Sequence, residues 1–185
     1  MNVFFITYFL WISSEVLLNR LMRSGKKDKK AADNNTELLL WITITVAVTV
    51  ATYVSLTSLH PIFFTYGFEI TGVIIIITGI IIRFIAIKQL GRFFTTDVTI
   101  RENHELIQTG FYKVLRHPSY TGSLLSFLGF GLSLNNWLGL AIAFLPVFFM
   151  FIYRMNIEEK VLTQQFGEQY KTYISKTKRI IPFIY

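Results

Sequence analysis

The sequence predicts an all-α, polytopic integral membrane protein with about five transmembrane helices, the N-terminus outside and the C-terminus in the cytoplasm. Three observations predict it. Of 185 residues, 52% are hydrophobic and only 16% charged, where a soluble domain carries roughly a quarter charged. The apolar residues come in long blocks, close to the roughly 20 residues that cross about 30 Å of hydrocarbon. The 18 Lys and Arg residues fall into three clusters of six, Arg20 to Lys30, Arg83 to Arg116 and Arg154 to Arg179. Five spans place all three clusters on one side of the bilayer, as the positive-inside rule requires.

The first span is expected from about Asn2 to Leu21. No Lys or Arg precedes Arg20, so it lacks the basic leader of a signal peptide. The second runs from Leu38 to Leu59 and the third from Tyr66 to Leu90, with the block Val73 to Ile77 inside it. The fourth (Ser119 to Leu134) and fifth (Leu138 to Tyr153) are shorter and are joined by a tight turn at Asn135-Asn136-Trp137. The opposite-side segments, including His60 to Thr65, contain no basic residue.

The net charge of +7 is therefore read as a topology signal, not as a nucleic-acid surface. The run Lys26-Lys27-Asp28-Lys29-Lys30 is expected against anionic lipid. Cysteine is absent and the three histidines lie far apart, so no metal site is expected. The chain divides into three N-terminal spans (1–90) and a second half (91–185). That half holds the only sizeable polar segments, Gly91 to His117 and Met155 to Tyr185. Chemistry on a water-soluble cofactor belongs there.

Several residue patterns stand out. Gly122, Ser126, Gly129 and Ser133 form one small-residue face on the fourth span, suited to close helix approach; the fifth span, antiparallel after the turn, is the expected partner. Pro146 is expected to kink it. Arg154, Glu158 and Leu162 recur at helical spacing where the apolar run ends, either as a surface ion pair or as charges lining a cavity. Pro118 is expected to open the fourth span. The N–H groups of its first turn, with the guanidinium fork of Arg116 and with His117 beside them, suit an anionic group. The same residues also fit a plain helix cap with an interfacial tyrosine. Glu15 and Arg83 are charges inside apolar runs: Arg83 can snorkel to the interface or, turned toward the bundle, bind an anionic group, and Glu15, toward the same side, is one candidate partner.

Leu106, Gly110, Tyr112 and Arg116-His117-Pro118-Ser119-Tyr120-Thr121-Gly122 fit the pattern L-x-x-x-G-x-Y-x-x-x-R-H-P-x-Y-x-G. Downstream follow Arg154, Glu158-Glu159, Leu162, Phe166-Gly167, Tyr170 and Arg179-Ile180-Ile181-Pro182. In this ordered set the chain resembles the isoprenylcysteine carboxyl methyltransferase family and its phospholipid methyltransferase relatives, over about Arg83 to Pro182. Phe111 stands where that family usually has proline.

The resemblance implies S-adenosylmethionine as methyl donor, in a cytoplasm-facing pocket made by the last two spans, the preceding loop and the tail. It implies that His117, Tyr120 and Glu159, with main chain near Leu106 and Tyr112, contact the donor, and that Arg154 and Glu158 lie near the acceptor or the transferring methyl. Arg116 joins the donor site through the helix-end argument. The implied partners are the bilayer and a lipophilic or small apolar methyl acceptor. O-, N- and S-methylation all stay open, with phospholipid amines and small thiols as alternatives to a prenylcysteine. A non-catalytic membrane scaffold is the rival outside enzymology.

Overall fold

In the computed structural model the described residues are 2–22, 29–30, 35–58, 60–62 and 68–185. They form six α-helices: α1 (Asn2–Leu21), α2 (Thr36–Thr57), α3 (Phe68–Leu90), α4 (Pro118–Ser133), α5 (Trp137–Phe166) and α6 (Glu168–Lys176). Two short strands, β1 (Lys29–Lys30) and β2 (Thr99–Ile100), pair antiparallel with Lys29 opposite Ile100. Two residues are too little to carry a strand signature in the sequence. Residues 26–28 of the basic run, and the start of the predicted third span at residues 66–67, lie outside the described residues.

Helices α2, α3 (as Glu69–Phe93) and α5 are long and apolar enough to cross a membrane by length and composition. The other two expected spans are also helical. Helix α1 has 20 residues and α4 has 16, so α4 is only about 24 Å long. Helix α5 has 30 residues and carries the expected fifth span straight into the polar tail; it continues through Pro146 without a break in the helix.

Helix α2 is rich in β-branched residues, which are mediocre helix formers in water. In hydrocarbon the backbone must satisfy itself, and the helix does so within one segment. Its hydroxyls follow the same rule: Thr43, Thr45, Thr52 and Ser55 each donate to the carbonyl four residues back at 2.7–2.8 Å. Large apolar side chains such as Phe9, Ile42, Val46, Ile70 and Ile74 are exposed on the outer faces of α1, α2 and α3, an apolar surface suited to lipid.

The small-residue face of α4 packs on α3, which corrects the expectation that α5 is its partner. A Cβ added at Gly122 would lie 2.6 Å from the Gly79 carbonyl oxygen, and one at Gly129 would lie 2.6 Å from that of Gly72. Ser126 Oγ donates to the Ile76 carbonyl at 3.3 Å. The reason is complementarity: Gly72 and Gly79 are seven residues apart on one face of α3, so two small faces meet with backbones nearly touching. Helix α5 meets α2 instead, where a Cβ at Gly139 would lie 2.1 Å from Ser55 Oγ.

The turn at Asn135-Asn136-Trp137 is as expected. Asn135 takes φ 48°, Asn136 Oδ1 caps Gly139 N–H at 3.0 Å, and Trp137 N–H donates to the His60 carbonyl. Trp11 on α1 fills the middle of the bundle, with its ring edge-on to Phe127 at 4.8 Å.

Gly79→Leu must push α3 and α4 apart, since even its Cβ would lie 2.5–2.7 Å from backbone atoms of Gly122 and Ser126. We expect a loss of at least about 1–3 kcal/mol, seen as a lower Tm in detergent. Ile74→Leu, on the exposed face of α3, leaves the Tm unchanged.

Candidate functional site

The segment between α3 and α4 is shaped by two glycines with positive φ, Gly91 (58°) and Gly110 (59°), which begin short 3-10 turns. After Gly110, the Phe111 N–H donates to Gln89 Oε1 at 2.8 Å. This explains the departure from the family pattern at Phe111. Proline has no N–H, and here the N–H is the group that ties the turn to α3.

The tail then stitches this segment to α4. Lys178 N–H donates to the Val114 carbonyl, Arg116 N–H to that of Lys178 at 2.7 Å, and His117 N–H to that of Arg179 at 2.9 Å. Thr121 Oγ1 donates to the Ile180 carbonyl at 2.8 Å. Pro118 opens α4 as expected. Its first turn differs from the expectation of free N–H groups: those of Tyr120 and Thr121 both donate to the His117 carbonyl.

Glu159 is the knot behind this wall. Its carboxylate accepts from Arg116 Nε at 2.7 Å, from Arg179 Nη2 at 2.7 Å and Nε at 3.2 Å, and faces His117 Nε2 at 3.2 Å. The same Arg116 donates through Nη1 to the Thr177 and Ile174 carbonyls at 2.5 and 3.3 Å, closing the C-terminal end of α6. The Arg116 fork is thus engaged within the chain instead of being open to an anion. Glu159 does not line the cavity described below; its oxygens face three basic side chains instead of a ribose.

A second cluster faces the cavity. Arg154 Nε donates to the Tyr120 hydroxyl at 3.1 Å, which donates to Glu158 Oε2 at 2.9 Å. Arg154 Nη2 also donates to the Thr96 carbonyl. The Tyr120 ring is stacked between His117 (5.5 Å) and Phe151 (4.9 Å). Arg154 and Glu158, spaced as a helical pair, are thereby joined through a tyrosine on α4. The Glu15–Arg83 pair also forms, bidentate at 2.7 and 2.8 Å. Arg83 Nη1 reaches Ser119 Oγ at 2.8 Å, anchoring α1 and α3 to the first turn of α4.

These elements enclose a cavity of about 140 Å³. Leu106, Tyr112, Arg116, His117, Tyr120, Arg154 and Glu158 all line it. Of the eight residues singled out from sequence, the structure leaves only Glu159 outside. One arm is apolar, walled by Trp11, Leu40, Trp41, Ile44, Phe127 and Phe151.

Sequence reasoning missed His104 and Tyr173 on the wall, and it placed Tyr170 in the motif set without giving it a role in the site. His104 lies on Phe93 at 4.9 Å; burial holds its pKa below the usual 6.5, with the Glu158 carboxylate opposing and Arg101 assisting. Tyr170 and Tyr173 sit one turn apart on the buried side of α6, a spacing that marks an inward face. Burial pushes both phenols upward in pKa, so they stay protonated. Tyr173 donates to the Tyr112 carbonyl at 2.6 Å, whereas the buried Tyr170 hydroxyl has no hydrogen-bond partner.

Arg179→Ala removes two hydrogen bonds to a buried carboxylate. It should cost about 1.5–3 kcal/mol, measured by thermal unfolding in detergent. Lys171→Ala breaks a pair of similar length (2.6 Å) whose side chains are 59% and 85% exposed, and should shift the Tm hardly at all.

Residues 68–169 match the family model described as phospholipid methyltransferase. The chain is 40% identical over 116 residues to protein-S-isoprenylcysteine O-methyltransferase B of Arabidopsis thaliana, covering 61% of this chain and 58% of that one. It is 35% identical over 117 residues to the Saccharomyces cerevisiae protein-S-isoprenylcysteine O-methyltransferase, covering 62% and 49%. A solved structure of the eukaryotic intramembrane Ras methyltransferase ICMT (isoprenylcysteine carboxyl methyltransferase) is similar at TM-score 0.61 and 29% identity, over 80% of this chain and 52% of that one. The chain thus spans about half to three fifths of the length of these relatives.

Proposed function

We propose, from the premise that this chain belongs to the phospholipid methyltransferase family, that it is an S-adenosylmethionine-dependent methyltransferase of the isoprenylcysteine carboxyl methyltransferase type, acting on a lipophilic acceptor at the membrane. The observation that carries the reading is one cavity lined at once by the motif residues Tyr112, His117 and Tyr120, by the apolar side chains Trp11, Leu40, Trp41 and Ile44 of α1 and α2, and by Arg154 and Glu158. Such a lining suits a polar donor and an apolar acceptor together. In this reading the chain crosses the bilayer five times, with α1 and α4 as the two further spans. The cavity mouth faces the cytoplasm, where the three basic clusters would lie.

The residues fit a nucleoside-sized donor: the wall is rich in aromatic rings, Tyr112, His117, Tyr120 and Tyr173 among them, and a buried hydroxyl (Tyr170) is without a partner. When bound, S-adenosylmethionine supplies a methyl group on a sulfonium, open to displacement by a nucleophile. The protein's part is orientation and exclusion of water. Tyr120 is held face-on between His117 and Phe151 and hydrogen-bonded to both Arg154 and Glu158, so it is fixed in place. Arg154 is the residue we assign to orient an anionic acceptor, such as a prenylcysteine carboxylate, which needs no base. An amine or thiol acceptor would have to lose a proton, and Glu158 is then the base. Glu159 acts by positioning: it holds Arg116, His117 and Arg179, and through them the wall.

The test is calorimetric titration of S-adenosylmethionine into detergent-purified protein, followed by transfer of labelled methyl to S-farnesyl-N-acetylcysteine, phosphatidylethanolamine vesicles or a small apolar thiol. We expect saturable donor binding and label on the farnesylated compound. Arg154→Ala should lower turnover on the order of 100-fold and leave donor Kd within about threefold. Folded protein that binds no donor contradicts the reading and leaves a non-catalytic scaffold. Label on the vesicles or the thiol alone moves the acceptor to a phospholipid amine or a thiol.

A further inference from the structure

We infer that residues 181–185 form an interfacial anchor, an apolar turn seated in the cytoplasmic leaflet of the bilayer with Lys176 and Lys178 on the lipid phosphates beside it. The inference rests on the five-span reading above and goes beyond it. Ile181, Pro182, Phe183, Ile184 and Tyr185 are all exposed, Phe183 at 84% and Ile184 at 74%. Five residues fall far short of the roughly 20 of a span, so in the sequence they read as part of a polar tail. Two contacts set the height of the turn. Thr121, in the first turn of α4, donates through Oγ1 to the Ile180 carbonyl at 2.8 Å. Ile180 itself is 2% exposed and shares a core with Phe151 and Met155, where the apolar run of α5 ends. The chain therefore leaves the bundle core level with the points where α4 enters the hydrocarbon and α5 leaves it.

The backbone of the turn is closed on itself, as a leaflet requires of any segment that enters it. The N–H groups of Ile180 and Ile181 donate to the Tyr185 main-chain oxygen at 2.9 and 2.7 Å, and those of Ile184 and Tyr185 to the Ile181 carbonyl at 3.2 and 3.1 Å. Pro182 has no N–H to satisfy. What the turn presents outward is side chain, and it is apolar and contiguous, where isolated apolar residues are the ordinary state of a wet surface. Lys176 and Lys178 are exposed on the approach to it, and lysines in that position are drawn to lipid phosphates. Tyr185 keeps a polar tie, accepting from Arg179 Nη1 through its hydroxyl at 2.9 Å, as suits a tyrosine at the headgroup level. The same Arg179 holds Glu159 at 2.7 Å. The anchor thus fixes the wall of the site at the membrane surface, where a lipophilic acceptor arrives.

The sequence has no cysteine, so a single introduced cysteine carries a nitroxide label cleanly. The test labels Phe183→Cys and Ile184→Cys in vesicles of phosphatidylcholine and phosphatidylglycerol. Lys171→Cys on the exposed face of α6 and Leu128→Cys on the half-buried stripe of α4 are the references. Collisions with oxygen, which concentrates in hydrocarbon, are compared with collisions with a water-soluble nickel chelate, in labelled proteins whose unfolding midpoint matches wild type. We expect the labels at 183 and 184 to lose most of the nickel collisions seen at 171 and to gain oxygen collisions, at a depth between those of 171 and 128. Labels at 183 and 184 as open to the chelate as the one at 171 overturn the inference and leave the five-span reading standing. So does dipolar broadening at 183 that vanishes on dilution with unlabelled protein, which assigns the turn to a second copy of the chain. A label at 128 open to the chelate overturns the five-span reading, and this inference with it.

Discussion

The Glu159 carboxylate sets the geometry of the whole second half of the molecule. A carboxylate this close to a membrane core is tolerable only if it is paired and hydrogen-bonded, because an unpaired buried charge carries a penalty of several kcal/mol. Its partners come from two places, Arg116 and His117 before α4 and Arg179 from the tail, while the glutamate itself stands on α5. The penalty for separating them forces the tail under the start of α4. Backbone hydrogen bonds at Val114, Arg116 and His117 then complete the join. The side chains that face the cavity, Tyr120 and Glu158 among them, inherit their positions from this join.

A second constraint fixes the other side of the cavity. Helices α3 and α4 approach so closely at Gly72, Gly79, Gly122 and Gly129 that they behave as one unit. Arg83 projects from the end of that unit to bind Glu15 and Ser119 at once. Helix α1 is thereby tied to the motif turn, and Trp11 is set beside the apolar arm. The cavity is thus lined by both halves of the chain, with the sequence motif at their junction.

How much of this was legible follows from the range of each interaction. Apolar runs and basic clusters report a helix's environment directly, so the helices and the turn at Asn136 could be read in advance. The motif residues could be read because their order along the chain is itself the signal. Glu15 was one candidate partner for Arg83, beside snorkelling and an anionic ligand, and only the fold decides for the pair. The partner of the small face on α4 could not, because short connection argued for α5 while shape complementarity, carried by two glycines on α3, decided for α3. Residue type made Arg116 and Glu159 look like ligand-binding groups, yet only the fold shows that each is the other's partner. Phe111 was legible only as a residue standing where proline is usual, because its N–H bond to Gln89 depends on a contact 22 residues away.

The central claim, that Glu159 organises the site by clamping the tail to the start of α4, is most directly tested by hydrogen exchange in detergent on wild type and Glu159→Gln. The account predicts that the variant loses protection together at residues 114–121 and 177–181, with α2 and α3 unchanged. Protection retained in both segments of a folded variant would contradict it, and would mean that the backbone bonds alone hold the site in place.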